Sequence, residues 1–283
     1  MSSDPIDLAL REDIGSGDIT SAFFVPAGTR VIARIISRQD AVVAGSKIAA
    51  AVFRRVDSKV RTRVVRRDGS NVFPGDAIVE IRGSARSILK AERVALNFLQ
   101  RLCGIATLTR KFVRGAGNRR VQILDTRKTT PGLRAMEKAA VLAGGGQNHR
   151  FGLFDMVLVK DNHLLVRGGL TSLDQAIRRV RKAHPRVRVE VEADRLKQVR
   201  ELLEASDVDV ILLDNMTPAQ MRKAVEWRAR KRSKTKFEAS GGVTLKNIGR
   251  VAATGVDYIS IGALTHSAPA INLSLEITDV RRA

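Results

Sequence analysis

Apolar and polar positions along the chain follow two rhythms. Between residues 30 and 83, short alternating runs flank one helical pattern. RVIARIISR (30–38), KVRTRVV (59–65) and AIVEIRG (77–83) are β-branched and alternate, which predicts strands. SKIAAAVFRRV (46–56) repeats its apolar positions at helical spacing, which predicts an amphipathic helix between them. DGSNVFPGDAIVEI carries the Gly and Pro-Gly punctuation of turns between short strands. From Ser87 to about Gly115 the pattern is helical.

After that the chain alternates strand and helix. The strand candidates are VQILDTR, MVLVKD, VRVEVEA, VDVILLDN, KFEASGG and VDYISIGALT. They are nearly continuous apolar runs, as buried parallel strands are. Ser172 with Gln175 three residues on predicts a helix start of capping-box type. Thr217 followed by Pro218 predicts a second start. Thr244 is expected to cap a third helix that closes near Gly255. Repeated βα units imply a parallel sheet or barrel. Six strands are clear, too few for a closed eight-stranded barrel.

Composition narrows the class. The 283 residues suffice for a barrel with a smaller partner domain, and 44% hydrophobic residues supply a sizeable core. The single cysteine, Cys103, excludes an internal disulfide and fits a reducing compartment. No apolar run approaches the roughly 20 residues that span a bilayer. The acidic start, MSSDPIDLALREDIGSGD, lacks the order of a signal peptide. A cytoplasmic protein without membrane contact is expected. The net charge of +21 fits a solvated basic surface, anionic small substrates or nucleic acid. Nucleic acid is disfavoured, because aromatics that would stack on bases make up only 4%.

The strand ends carry the candidate chemistry, since α/β barrels build their sites at the carboxyl ends of strands. Arg127 and Lys128 follow the first run, His149 and Arg150 lie in GGGQNHR, and Lys160 ends MVLVK. Cations gathered in this way suit a ligand with several negative charges: arginine grips carboxylate or phosphate in two places, and lysine supplies a compact charge. Ion pairs with Asp125, Asp155 and Asp161 are the structural alternative. Glu192 and Asp214 end the next two strands; they suit ribose hydroxyls or Mg2+ beside a pyrophosphate, or simply neutralise the lysines. Ser240, Gly241, Gly242 and Gly262 can turn backbone N–H groups toward a phosphate, with a helix after Thr244 adding its dipole.

Other features read as scaffold. GGGQNHR does not have the spacing of a P-loop. Cys103 reads as a packed helix residue. His163, His184 and His266 lack metal-ligand spacing. WRARKRSKTK reads as a solvated basic helix end.

LREDIGSGDIT, KAERVALNFLQRLCGIATLTR, DTRKTTPGLRAMEKAAVLAGGGQNHR, DMVLVKDNH, VEVEA, ILLDN, FEASGGV and ISIGALTHSAP follow one another over nearly the whole chain. In that order they resemble the motifs of the quinolinate phosphoribosyltransferase family. That family lacks the acidic Thr-Gly signature of other phosphoribosyltransferases, as does this sequence. A sister family linked to molybdenum transport shares the DTRKT-like motif, but the NHR and KDNH segments favour the quinolinate enzymes. Cys103 stands where serine is common in the family.

The resemblance implies an N-terminal open α/β sandwich domain plus an incomplete α/β barrel of six or seven strands. The expected domains are residues 1–103, with 267–283 returning to them, and 104–266. It implies transfer of phosphoribose from phosphoribosyl pyrophosphate to quinolinate with decarboxylation, giving nicotinate mononucleotide, in a homodimer or larger assembly. Arg93 would reach the neighbouring subunit's site. Arg93, Arg127, His149, Arg150 and Lys160 would surround the quinolinate carboxylates, with Lys128 and Lys160 between the two substrates. Glu192 and Asp214 would face ribose and Mg2+, and Ser240, Gly241 and Gly262 would hold the 5′-phosphate. Lys128, Lys160, Glu192 and Asp214 are the expected catalytic residues. A related enzyme for another aromatic acid, or a basic nucleic-acid-binding protein, are the competing readings.

Overall fold

The alternating run RVIARIIS becomes the central strand of an antiparallel sheet, burying Val31, Ala33 and Ile35 while Arg34 stays exposed. The computed structural model describes residues 4–117, 120–167, 173–204 and 207–281. In chain order the elements are α1 (Pro5–Ile14), α2 (Ile19–Phe24), β1 (Arg30–Ser37), β2 (Ala41–Val42), α3 (Ser46–Val56), β3 (Arg61–Val64), β4 (Asn71–Val72), β5 (Ala77–Ser84) and α4 (Ala85–Ala116). There follow β6 (Gln122–Leu124), α5 (Arg134–Ala143), β7 (Val157–Val159), α6 (Asp161–Arg167), α7 (Leu173–Ala183), β8 (Val189–Ala193) and α8 (Leu196–Glu204). The chain ends with β9 (Val210–Asp214), α9 (Pro218–Lys231), β10 (Lys236–Ser240), α10 (Ile248–Ala252), β11 (Tyr258–Ser260), α11 (Ala263–His266) and β12 (Leu273–Arg281).

The chain divides into two units. The first comprises residues 1–110, 129–145 and 264–283; the second comprises 111–128 and 146–263. The sequence reading placed the boundary at 103 and kept 129–145 with the barrel, so this division differs in both respects. In the first unit the sheet order is β12-β1-β5-β3, all antiparallel. The C-terminal strand thus returns to pair with β1, from Ser37↔Leu273 to Arg30↔Arg281. Phe53, Ile81, Ile88 and Leu99 fill one core with Cys103. Burial pushes the Cys103 thiol up to about 12, so it packs as an inert apolar group. At α3, Gly45 sits at a φ of 83° and offers no capping side chain. Asp68 takes over, accepting the N–H groups of Gly45 and Ser46 at 2.9 and 3.0 Å and the Ser46 hydroxyl at 2.7 Å.

The second unit holds six parallel strands in the order β6-β11-β10-β9-β8-β7. Strands β7 to β11 are neighbours in sequence order, and β6 follows β11, so the sheet is an incomplete barrel left open between β6 and β7. Gln147 forms a single parallel bridge to Leu124 on the free edge of β6, the start of a seventh position. Side chains alternate faces along a strand. One face carries Val191, Ile211, Leu213, Phe237, Ala239 and Ile259, all buried. The other face carries Lys160, Glu190, Glu192, Asp214, Glu238 and Ser240. β9 is apolar on both sides below Asp214, since buried Val210 and Leu212 share the second face, whereas β8 and β10 each carry a buried glutamate there.

The helix starts differ in outcome. Thr217 and Pro218 open α9 as expected, and Thr217 also forms a capping box with Gln220, which the sequence reading did not name. Ser172 lies outside the described residues. Thr244 does not cap α10: Asn247 precedes that helix, and the Asn247 side chain accepts the Thr244 N–H at 2.7 Å. The segment before it is a turn, and α10 closes at Ala252. No helix among the described residues is long and apolar enough to cross a membrane.

Candidate active site

Ten of the eleven residues singled out from the sequence lie in the second unit, eight of them at or just beyond the carboxyl ends of its strands and two, His149 and Arg150, in the segment before β7. Arg127 and Lys128 follow β6, Lys160 follows β7, Glu192 is near the end of β8, and Asp214 and Ser240 end β9 and β10. Gly241 follows Ser240, and Gly262 follows β11. The in-register pairs Ser240↔Asp214 and Glu192↔Leu212 place these side chains on one face. Arg93 is the exception: it lies in the first unit, exposed on α4.

Electrostatics tie the group together. Burial, and then the neighbouring Arg127, lower the pKa of Arg150. Two guanidinium groups this close repel each other unless an anion lies between them. Glu192 is raised, by burial first and by Asp214 next, while Lys160 works in the opposite direction. Glu192, Asp214 and Lys160 therefore share one electrostatic neighbourhood. Asp155 holds the turn after Arg150, accepting the N–H groups of Phe151 and Gly152 at 2.6 and 2.9 Å.

The loop after β10 is forced by close packing. Gly241 has a φ of 88°, and a Cβ there would lie 2.1 Å from Asn215 Oδ1. Asn215 itself has a φ of 51°, donates its N–H to Ser240 O at 2.9 Å and its side-chain amide to Asp214 at 2.8 Å. The end of β9 and the glycine turn are thus one hydrogen-bonded unit. A groove beside them is lined by Asn215, Gly241, Gly242, Asn247 and Arg250. Arg250 is a cation that the sequence reading passed over, since it sits in a helix rather than at a strand end.

His149 is placed differently from Arg127 and Arg150. Its imidazole is turned inward, only 7% exposed. Nε2 lies 3.1 Å from Glu190 and 3.4 Å from Glu238, both nearly fully buried. Burial alone would lower the ring's pKa; the hydrogen bonds to Glu190 and then Glu238 oppose this and hold a proton on Nε2. Nδ1 accepts the Arg150 N–H at 2.7 Å, a contact that a second ring proton would break. The geometry therefore puts a proton on Nε2 and leaves Nδ1 as the acceptor. Glu190 and Glu238 had a sequence signal. Each lies two residues before a strand-end candidate, Glu192 or Ser240, so each shares that residue's face.

Comparison with known proteins agrees with this architecture. The profile of the quinolinate phosphoribosyl transferase N-terminal domain matches residues 18–103, and that of the C-terminal domain matches 105–276. A probable nicotinate-nucleotide pyrophosphorylase [carboxylating] of Bacillus subtilis is 42% identical over 269 residues, covering 94% of this chain and 90% of the relative. Its counterpart in Mycobacterium leprae is 42% identical over 277 residues, covering 97% and 96%. Among solved structures, the nicotinate-nucleotide pyrophosphorylase of Francisella tularensis superposes with a TM-score of 0.89 at 35% identity, covering 98% of each chain. With both domains matched, the parallel sheet an incomplete barrel, and Glu192, Asp214 and Ser240 on one face of it, this chain belongs to the quinolinate phosphoribosyltransferase family.

Proposed function

We propose that this protein transfers the phosphoribosyl group of phosphoribosyl pyrophosphate to quinolinate, releasing pyrophosphate and CO2 and leaving nicotinate mononucleotide. The observation that carries the reading is Glu192, Asp214 and Ser240 on one strand-end face, with Lys160 a neighbour of Glu192 and Arg127 a neighbour of Arg150. A dicarboxylate fits the arginine pair. A sugar that gains positive charge as pyrophosphate departs fits the carboxylates.

The chemistry then needs no protein nucleophile. Arg127 and Arg150, with Arg93, hold the two carboxylates of quinolinate and aim its ring nitrogen at the ribose carbon. Lys128 and Lys160 sit between the substrates and steady the departing pyrophosphate. As the carbon–oxygen bond to pyrophosphate breaks, Glu192 and Asp214 stabilise the charge on the sugar. The nitrogen–carbon bond forms and leaves a pyridinium ring. The adjacent carboxylate departs as CO2, its bonding electrons pass to that ring carbon, and a proton replaces it. Ser240, Gly241 and Gly262 would hold the 5′-phosphate.

Oxygen donors suit Mg2+, and the mutual repulsion of Glu192 and Asp214 fits a pair that faces a cation. Mg2+, when bound with the pyrophosphate donor, would neutralise phosphate charge. Arg93 would reach the site of the neighbouring subunit in a homodimer. A cytoplasmic setting is supported by a lone, buried thiol. The lone tryptophan and tyrosine already carry cations on their ring faces, Arg200 at 4.6 Å and Arg188 at 5.6 Å, so neither is free to stack on nucleic-acid bases. The test is product analysis after incubation with quinolinate, phosphoribosyl pyrophosphate and Mg2+: nicotinate mononucleotide supports the reading, and its absence from folded protein overturns it.

A further inference from the structure

We propose that Glu190 and Glu238 are positioning residues for the acceptor site: they grip the His149 ring from inside the barrel, so that the ring fixes the backbone of Arg150. The inference rests on the quinolinate reading for its kinetic consequence, though not for its geometry.

The segment that delivers Arg150 begins in three consecutive glycines, 144–146, and Gly145 has a φ of 91°. Such a stretch has little stiffness of its own. Order is imposed afterwards, contact by contact. Gln147 N–H donates to Ile123 O at 2.8 Å, and Asp125 N–H to Gln147 O at 3.1 Å. His149 N–H donates to Asp125 Oδ1 at 2.8 Å. Nδ1 of the same ring accepts the N–H of Arg150 at 2.7 Å, and this contact directs the chain at Arg150. It requires a ring with Nδ1 bare and the proton on Nε2. Glu190 and Glu238 enforce that arrangement, because two carboxylate oxygens at Nε2 demand a donor there.

The cost of this arrangement argues that it has a use. Glu190 and Glu238 are 1% and 2% exposed, and one oxygen of each, Oε1, is buried without a hydrogen-bond partner. Burying carboxylates in a barrel that apolar side chains would fill equally well lowers stability. The two lie on β8 and β10 in the layer just beneath Glu192 and Ser240, directly under the strand ends that carry the site. Rules of core packing broken beneath a site point to that site.

The test combines spectroscopy and kinetics. The chain has four histidines, so the His149 imidazole signals can be assigned in 15N-labelled protein by comparison with His149→Asn. In the wild type at neutral pH the ring should show a proton on Nε2 and none on Nδ1. In Glu190→Gln, Glu238→Gln and the double variant that pattern should weaken. The KM for quinolinate should rise about tenfold or more, as expected when a hydrogen bond to a charged group is lost, while the KM for phosphoribosyl pyrophosphate stays within about twofold. A proton on Nδ1 in the wild type, or a divalent ion co-purifying at one per chain and bound through Nε2, would overturn the proposal. So would an unchanged quinolinate KM in a folded double variant. If the wild type does not use quinolinate at all, the functional reading fails, and the ring's proton pattern still decides the positioning claim. Should the variants not fold, the wild-type spectrum alone decides it.

Discussion

The carboxylate of Asp125 accepts the backbone N–H of His149 at 2.8 Å, and Asp125 is wholly buried. This contact joins the end of β6 to the segment that carries His149 and Arg150, so it belongs to both the fold and the site. Asp125→Ala leaves a donor without its acceptor. The expected cost is about 1–3 kcal/mol of stability, measured by urea unfolding, together with a loss of activity. Asp125→Asn retains an acceptor oxygen and should recover most of the stability.

Lys128 and Lys160 are both exposed, so neither is needed for packing. Lys128→Ala and Lys160→Ala should each change stability by no more than about 0.5 kcal/mol. Turnover should fall by about 10²–10³-fold, the size seen when a group that stabilises developing charge is removed. Steady-state kinetics on variants with native circular dichroism checks this. Wild-type turnover in either would remove that lysine from the mechanism.

The pH profile has a predicted sign. Glu192 must be ionised to oppose positive charge on the sugar, and burial and Asp214 raise its pKa. The acid limb of kcat/KM should therefore lie above the ordinary glutamate range, with activity falling as pH drops through it. Asp214→Asn removes a negative neighbour, so the residual activity should show that limb moved to lower pH. A limb moved upward would contradict the assignment.

How much of this was legible in the sequence depends on the scale of the interaction. Local signals were readable. SKIAAAVFRRV is α3, the capping pair at Thr217 and Pro218 opens α9, and the six parallel strands lie where their apolar runs placed them. Eight site residues of the barrel unit were found because strand ends are recognisable as places where apolar runs turn polar; His149 and Arg150 came from the GGGQNHR segment instead. What the sequence withheld is set by long-range packing. Nothing near Gln147 announces a bridge to Leu124, and nothing in residues 129–145 announces that they group with the first unit. Thr244 looked like a cap, but Asn247 competed for its N–H group and formed a turn instead. His149 looked like one more cation of the carboxylate site; its inward rotation depends on two glutamates from strands far along the chain.

A shared site has its own test. Arg93 stands in the first unit, away from any barrel strand end in sequence, and a two-fold dimer would build two equivalent composite sites. Arg93→Ala and Lys128→Ala should each be nearly inactive alone. Co-refolded together, they should regain activity in those heterodimers that pair an intact Arg93 with an intact Lys128. Activity that stays at the level of either variant, with heterodimers demonstrated, would return Arg93 to its own chain.

The most direct measurement follows the carboxylate that leaves. Quinolinate labelled with 13C in the carboxyl group next to the ring nitrogen should release labelled CO2 only when phosphoribosyl pyrophosphate and Mg2+ are present. Labelled CO2, pyrophosphate and nicotinate mononucleotide should appear in equal amounts, and nicotinate offered as the acceptor should give little product. Nucleotide formed with the label retained, or nicotinate accepted as readily as quinolinate, would contradict the account.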